Sequence, residues 1–226
     1  MSLKPPFTLL GTFAHSPARD DLELLEKGLV SVDQDGSIID VCRHGQPEYQ
    51  KVLKTALGSG QLVETDAGTF IFPGMVDLHI HAPQWPQIGQ VLHRPLQEWL
   101  EQYTFPLEAR YSDTNFAKRV YKDLVNTLIA NGTTTGVYFS TIHQLATRVL
   151  AHACLDIGQR AFVGKVVMDD EDQCPDYYRD HSIDAALAGT VESIEFIRES
   201  KNNSAALVQP RFIPSCSDAV LRGLGE

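Results

Sequence analysis

Read for its apolar and polar positions, the chain changes rhythm once. From residue 5 to about 68 short alternating runs predominate: FTLLGTFA, then GLVSVDQDGSIIDVCR, where D-Q-D-G between two apolar runs marks a hairpin, then QLVETDAGTFIF. Within this stretch PEYQKVLKTAL carries Tyr49, Val52, Leu53 and Leu57 at helical spacing, which predicts one or two helical turns. The strands are too few to close a sandwich, so this sheet is expected to need strands from elsewhere.

From residue 71 strands alternate with helices. FIFPGMVDLHI, TTTGVYFS, AFVGKVVMD and AALVQPRFI read as buried strands, separated by helical segments at 112–130, 142–158 and 182–200. Ser182 is suited to cap the last of these, and Ile183, Leu187, Val191, Ile194 and Ile197 fall along one of its faces. Four strands with crossover helices predict an α/β fold on a parallel sheet, either doubly wound or a (β/α)8 barrel. The expected division is a small β domain over 1–68 and the α/β part over 69–226. A complete barrel takes about 250 residues and only roughly 155 follow the β region. The closing SDAVLRGLGE reads as a helix beginning, so the chain is expected to stop partway round such a barrel.

Composition narrows the partners. With 43% hydrophobic and 21% charged residues the chain is an ordinary globular one, and a net charge of -10 without any basic block argues against nucleic acid and anionic membranes. No secretory leader or membrane span is legible. Cys42, Cys154, Cys174 and Cys216 form no CxxC pair and suit reduced thiols, which points to the cytosol. A small molecule is the expected partner. Phosphate cradles and the HxE…PCxxC pattern of cytidine-type deaminases are both missing.

The candidate chemistry sits in PGMVDLHIHAPQW, residues 73–85. On a strand, Asp77, His79 and His81 share one face, while Leu78 and Ile80 point the other way into apolar packing. Two imidazoles on one face can converge on a zinc ion. With eight histidines in the chain an HxH triplet is not rare, so position at the C-terminal end of the first barrel-like strand carries more weight than spacing. Gln84 offers both donor and acceptor, and Arg211 offers a planar donor fork suited to a pair of acceptors. Trp99 is a candidate pocket residue, Trp85 a lesser one. Asp77 either orients a ligand imidazole or makes a strand-end hydrogen bond.

The stretch PGMVDLHIH resembles the P-G-x-[VI]-D-x-H-x-H signature of the amidohydrolase superfamily. HAPQ is similar to the segment found in the guanine deaminases within it, as are PLxEWLxxYTFP at 95–106, NGTTT at 131–135 and QPRFxxSCS at 209–217. The resemblance implies the first half, about four βα units, of a (β/α)8 barrel, preceded by part of a small β-sandwich domain. It implies zinc held by His79 and His81 together with later ligands, and guanine contacted by His81, Gln84, Arg211 and Phe212. Hydrolytic deamination of guanine to xanthine follows from it, and pairing as a homodimer is a further implication of the resemblance. No catalytic acid or base is identifiable within these residues, and the metal site has two of its ligands. The isolated chain is therefore expected to be inactive. Two other readings stand beside this one: an amidohydrolase acting on another ring amine or halide, and a non-catalytic chain that associates with other subunits.

Overall fold

A computed structural model describes residues 3–200 and 204–226, which divide into two compact units, Met1–Pro73 and Gly74–Glu226. The first is built on a four-stranded sheet of β1 (Phe7–His15), β2 (Glu23–Val32), β3 (Ile38–Cys42) and β4 (Leu62–Glu64), ordered β3-β2-β1-β4. The DQDG hairpin joins β2 to β3, with the Asp33 carboxylate accepting from the backbone N–H groups of Asp35 and Ser37. Helix α1 (Tyr49–Ser59) covers one face, where Tyr49, Val52 and Leu53 meet Leu29 and Cys42. Leu57, expected on that inner stripe, is exposed, and Ala56 is buried in its stead. The other face gathers Phe13, Leu25 and Val30 with Ile71, so FIF at 70–72 belongs to this unit and not to the next strand.

In the second unit β5 (Met75–His81), β6 (Thr133–Phe139), β7 (Arg160–Gly164), β8 (Val166–Val167), β9 (Ser204–Ala206) and β10 (Gln209–Pro210) are all parallel to their partners. The sheet runs β5-β6-β7-β9, and β8 with β10 continues the last ladder beyond a short interruption. Bonds from Leu207 N to Val163 O and from Arg211 N to Val167 O, each 3.0 Å, bridge that interruption. These are the four predicted strands, in chain order, with no reversal among the described residues.

Short helices α2 (Leu96–Trp99) and α3 (Phe105–Ala109), joined by a π-helical turn, follow β5. The long crossovers are α4 (Thr114–Ala130), α5 (Gln144–Ile157) and α6 (Ile183–Glu199), and α7 (Asp218–Gly225) follows β10. Ser182 caps α6 by accepting from Ala185 N, as its position predicts. The core between helices and sheet holds Tyr121, Leu124, Leu150, Cys154, Tyr138 and Val163. Ile80 packs against this core, but Leu78, expected to do the same, is 70% exposed. The reason is position: β5 has β6 as its one neighbour in the sheet, and its outer flank, with Met75 and Val76, has no helix over it among the described residues.

One buried ion pair fixes the loop after β8. Lys165 Nζ reaches Asp180 Oδ1 at 2.8 Å and the Val166 carbonyl at 3.1 Å, both side chains being almost fully buried, and Asp180 Oδ2 accepts from Met168 N. Gly189 on α6 leaves the room this lysine needs, since a Cβ there would stand 3.1 Å from Lys165 Cε. Removing one partner strands the other charge in the interior. Lys165→Met is therefore expected to cost about 3–5 kcal/mol in chemical denaturation, and Lys165→Met/Asp180→Leu to recover part of it; a single variant as stable as the parent would contradict this.

Candidate active site

The strands of the second unit end together, and the candidate residues lie on the connections at those ends, the usual location for chemistry in parallel α/β folds. His79 and His81 share one face of β5, and their Nε2 atoms approach to 3.2 Å. Phe139, at the end of β6, forms a shelf under both rings, with centroids at 4.7 and 4.8 Å. Burial first, and then the positive charge of Arg211, push the His81 imidazole down to about 4, which keeps it neutral and able to ligate. Its Nδ1 is buried without a partner. The Asp77 carboxylate accepts from the backbone N–H of His79 at 3.0 Å, the strand-end hydrogen bond that is one of its two expected roles.

The pair suits a zinc ion. Two imidazole nitrogens each about 2.0–2.1 Å from a tetrahedral zinc are about 3.3 Å apart, close to the separation here. Among the described residues no third His, Cys, Asp or Glu joins them in a cluster able to hold a metal. A cavity of about 390 Å³ opens beside the pair, lined by His79, His81, Gln84, Gln87 and Trp99 among others. Trp99 aims a buried indole N–H without a partner. Trp85 also lines the cavity, packing on the core and donating to Asp123 at 2.7 Å.

After β5 the prolines at 83 and 86 hold Ala82–Gln87 in a tight 3-10 turn that directs Gln84 inward. Its Nε2 donates to Glu108 Oε1 at 3.0 Å. Glu108 is fully buried on α3, three residues beyond the buried Phe105 and on the same helical face. Arg211, 103 residues further along, grips this carboxylate with both Nη atoms, Nη2 to Oε1 at 3.0 Å and Nη1 to Oε2. The guanidinium also lies 5.2 Å from the Phe105 ring centre. From the loop held by Lys165 and Asp180, Tyr178 adds a fourth bond, its hydroxyl donating to Oε2 at 2.8 Å.

Burial, and next the charge of Glu108, raise the Tyr178 phenol well above its ordinary range, so it remains a donor. For Arg211 burial works against the charge, but Glu108 outweighs it and raises the guanidinium further. Phe212 is 39% exposed and lines a separate cavity together with Phe105 and Cys174.

Gln84, His81 and Arg211 thus come together, with Phe212 and Trp99 at the margins. Glu108 and Tyr178 are absent from the sequence reading. FPLEA looks like any amphipathic turn, and the one signal is an acidic residue at the same helical face as Phe105. His143 is a further residue of this region: half-buried at the N-terminus of α5, it has a buried Nε2 without a partner among the described residues, and its ring lies 5.8 Å from that of Tyr178.

A model of the amidohydrolase family matches residues 70–226. The chain belongs to the amidohydrolase family. Among relatives of this amidohydrolase, the guanine deaminase of Mus musculus is 37% identical over 226 residues, covering 98% of this chain and 49% of that one. The probable guanine deaminase of Schizosaccharomyces pombe is 36% identical over 222 residues, covering 96% and 41%. A crystal structure of guanine deaminase from C. acetobutylicum with guanine bound in its active site superposes with a TM-score of 0.87 at 32% identity, over 98% of this chain and 50% of that one. The amidohydrolase chain therefore spans about half the length of the relatives it matches.

The four bonds on Glu108 differ in weight. Tyr178→Phe removes one neutral donor and is expected to cost about 1–2 kcal/mol, while Arg211→Met leaves a buried carboxylate without its counter-ion and is expected to cost about 3–5 kcal/mol. Equal losses in urea titrations of the two variants would show that the charge of Arg211 contributes nothing.

Proposed function

We propose that this chain is the N-terminal half of a zinc-dependent guanine deaminase, with the strands of its second unit forming the first part of a (β/α)8 barrel. The observation that carries the reading is the convergence of Gln84 and Arg211 on one buried carboxylate beside the histidine pair. The guanine deaminases that match nearly the whole chain support it. In this reading His79 and His81 contribute two metal ligands. Gln84 and Arg211 hold the base, with Phe212 at the margin, and His81 and Trp99 line the cavity that Gln84 enters.

Guanine and water give xanthine and ammonia. Zinc, when bound, supplies an activated water by lowering its pKa to about 7. Arg211 orients the ring through its acceptor edge, and Gln84 fixes the adjoining edge. Neutral His81 is in the state that ligates, and Phe139 holds both imidazoles in place. Glu108 moves no proton, because each of its oxygens already accepts two bonds. In this reading the proton-transfer groups and the further ligands are contributed by the rest of the enzyme. The buried, unpaired thiols support the cytosol as the compartment. Pairing of two copies rests on resemblance.

The test is turnover by the intact protein, with xanthine and ammonia quantified. Guanine is expected to react and adenine at least about a hundredfold more slowly. His79→Ala and His81→Ala should each lower the bound zinc and the rate by about a hundredfold or more. Equal rates on the two purines, or full activity in both histidine variants, would contradict the reading.

A further inference from the structure

Glu108 does more than anchor its neighbours. A carboxylate can only accept hydrogen bonds, so Gln84 must turn its NH2 group toward it, and the orientation of that amide is set by chemistry. The Gln84 carbonyl oxygen then faces away from Glu108 and remains free to accept. Arg211 has no acceptor at all; two of its N–H groups are taken by Glu108 and the others can only donate. One fully buried group therefore decides the hydrogen-bonding sign of Gln84, which lines the cavity beside His81, and of Arg211, which shares its carboxylate with Gln84.

We infer that Glu108 is a positioning residue that sets the polarity of the base-binding edge, so that the site accepts a ring with a carbonyl oxygen next to a ring N–H and rejects one with an amino group next to a bare ring nitrogen. The inference rests on the guanine reading. In guanine, O6 meets the donors of Arg211 and N1–H meets the acceptor of Gln84. A 6-amino purine reverses both positions: its amino group would face Arg211 donors and its bare N1 the Gln84 oxygen. Leaving two polar contacts wrongly paired in a buried site discriminates far more than a change of size.

2,6-Diaminopurine is the matched probe, because it keeps the 2-amino leaving group of guanine and differs only along this edge. In the intact protein, Glu108→Gln allows the Gln84 amide to turn over. Its guanine to diaminopurine ratio of kcat/KM is expected to fall at least about tenfold, chiefly through a raised KM for guanine, with kcat on saturating guanine within about threefold. Glu108→Asp keeps an acceptor-only group and is expected to hold the ratio within about threefold of the parent. A purely structural role would instead lower kcat on both rings by one factor and leave the ratio unchanged, which would overturn the inference. Should Glu108→Gln fail to fold, Gln84→Leu must lower the same ratio at least about tenfold, and an unchanged ratio there overturns it equally. Absence of guanine turnover in the unsubstituted protein would remove the guanine reading itself, and the inference with it. That result is distinct from an unchanged ratio in an active protein.

Discussion

A carboxylate taken wholly out of water persists only when every lone pair has a partner, and Glu108 meets that condition with two bonds from Arg211, one from Gln84 and one from Tyr178. The four groups come from the turn after β5, the short helix α3, the loop after β8 and the end of β10. Other elements separate each of these segments from the next along the chain. The ion pair at their centre thus specifies how these segments come together, because any other arrangement leaves a charge buried alone.

That requirement propagates outward. Tyr178 can reach Glu108 only if its loop is held, and Lys165 with Asp180 holds it from the helix side of the sheet. Asp169 in the same loop accepts from both the N–H and the hydroxyl of Ser217 at 2.7 Å, tying it to the segment that follows Arg211. On the opposite side, Phe139 stacks under His79 and His81, and the Arg211 charge helps keep His81 neutral. The histidine pair and the Glu108 cluster are therefore coupled electrostatically through one arginine.

Local periodicity made much of this fold legible. The alternating runs gave the strands, the 3.6-residue spacing gave α4, α5 and α6, and Ser182 announced its helix because capping is a nearest-neighbour effect. Strand alternation also placed His79 and His81 on a common face. Long-range facts were not legible in the same way. Leu78 carries the pattern of a core residue, but whether it is covered depends on what lies beyond β5. Glu108 looks like a solvated helix residue because its partners stand 24, 70 and 103 residues away. Arg211 and Gln84 were legible as donors and acceptors, but the group that orients them was not.

A crystal structure of the intact protein with zinc and guanine bound tests the central claim most directly. It should contain Arg211 and Gln84 still bonded to Glu108 while Arg211 donates to the carbonyl edge of the ring and the Gln84 carbonyl oxygen accepts from a ring N–H, with the metal on His79 and His81. Guanine bound away from these residues, or a Gln84 amide detached from Glu108 and donating to the ring, would contradict it.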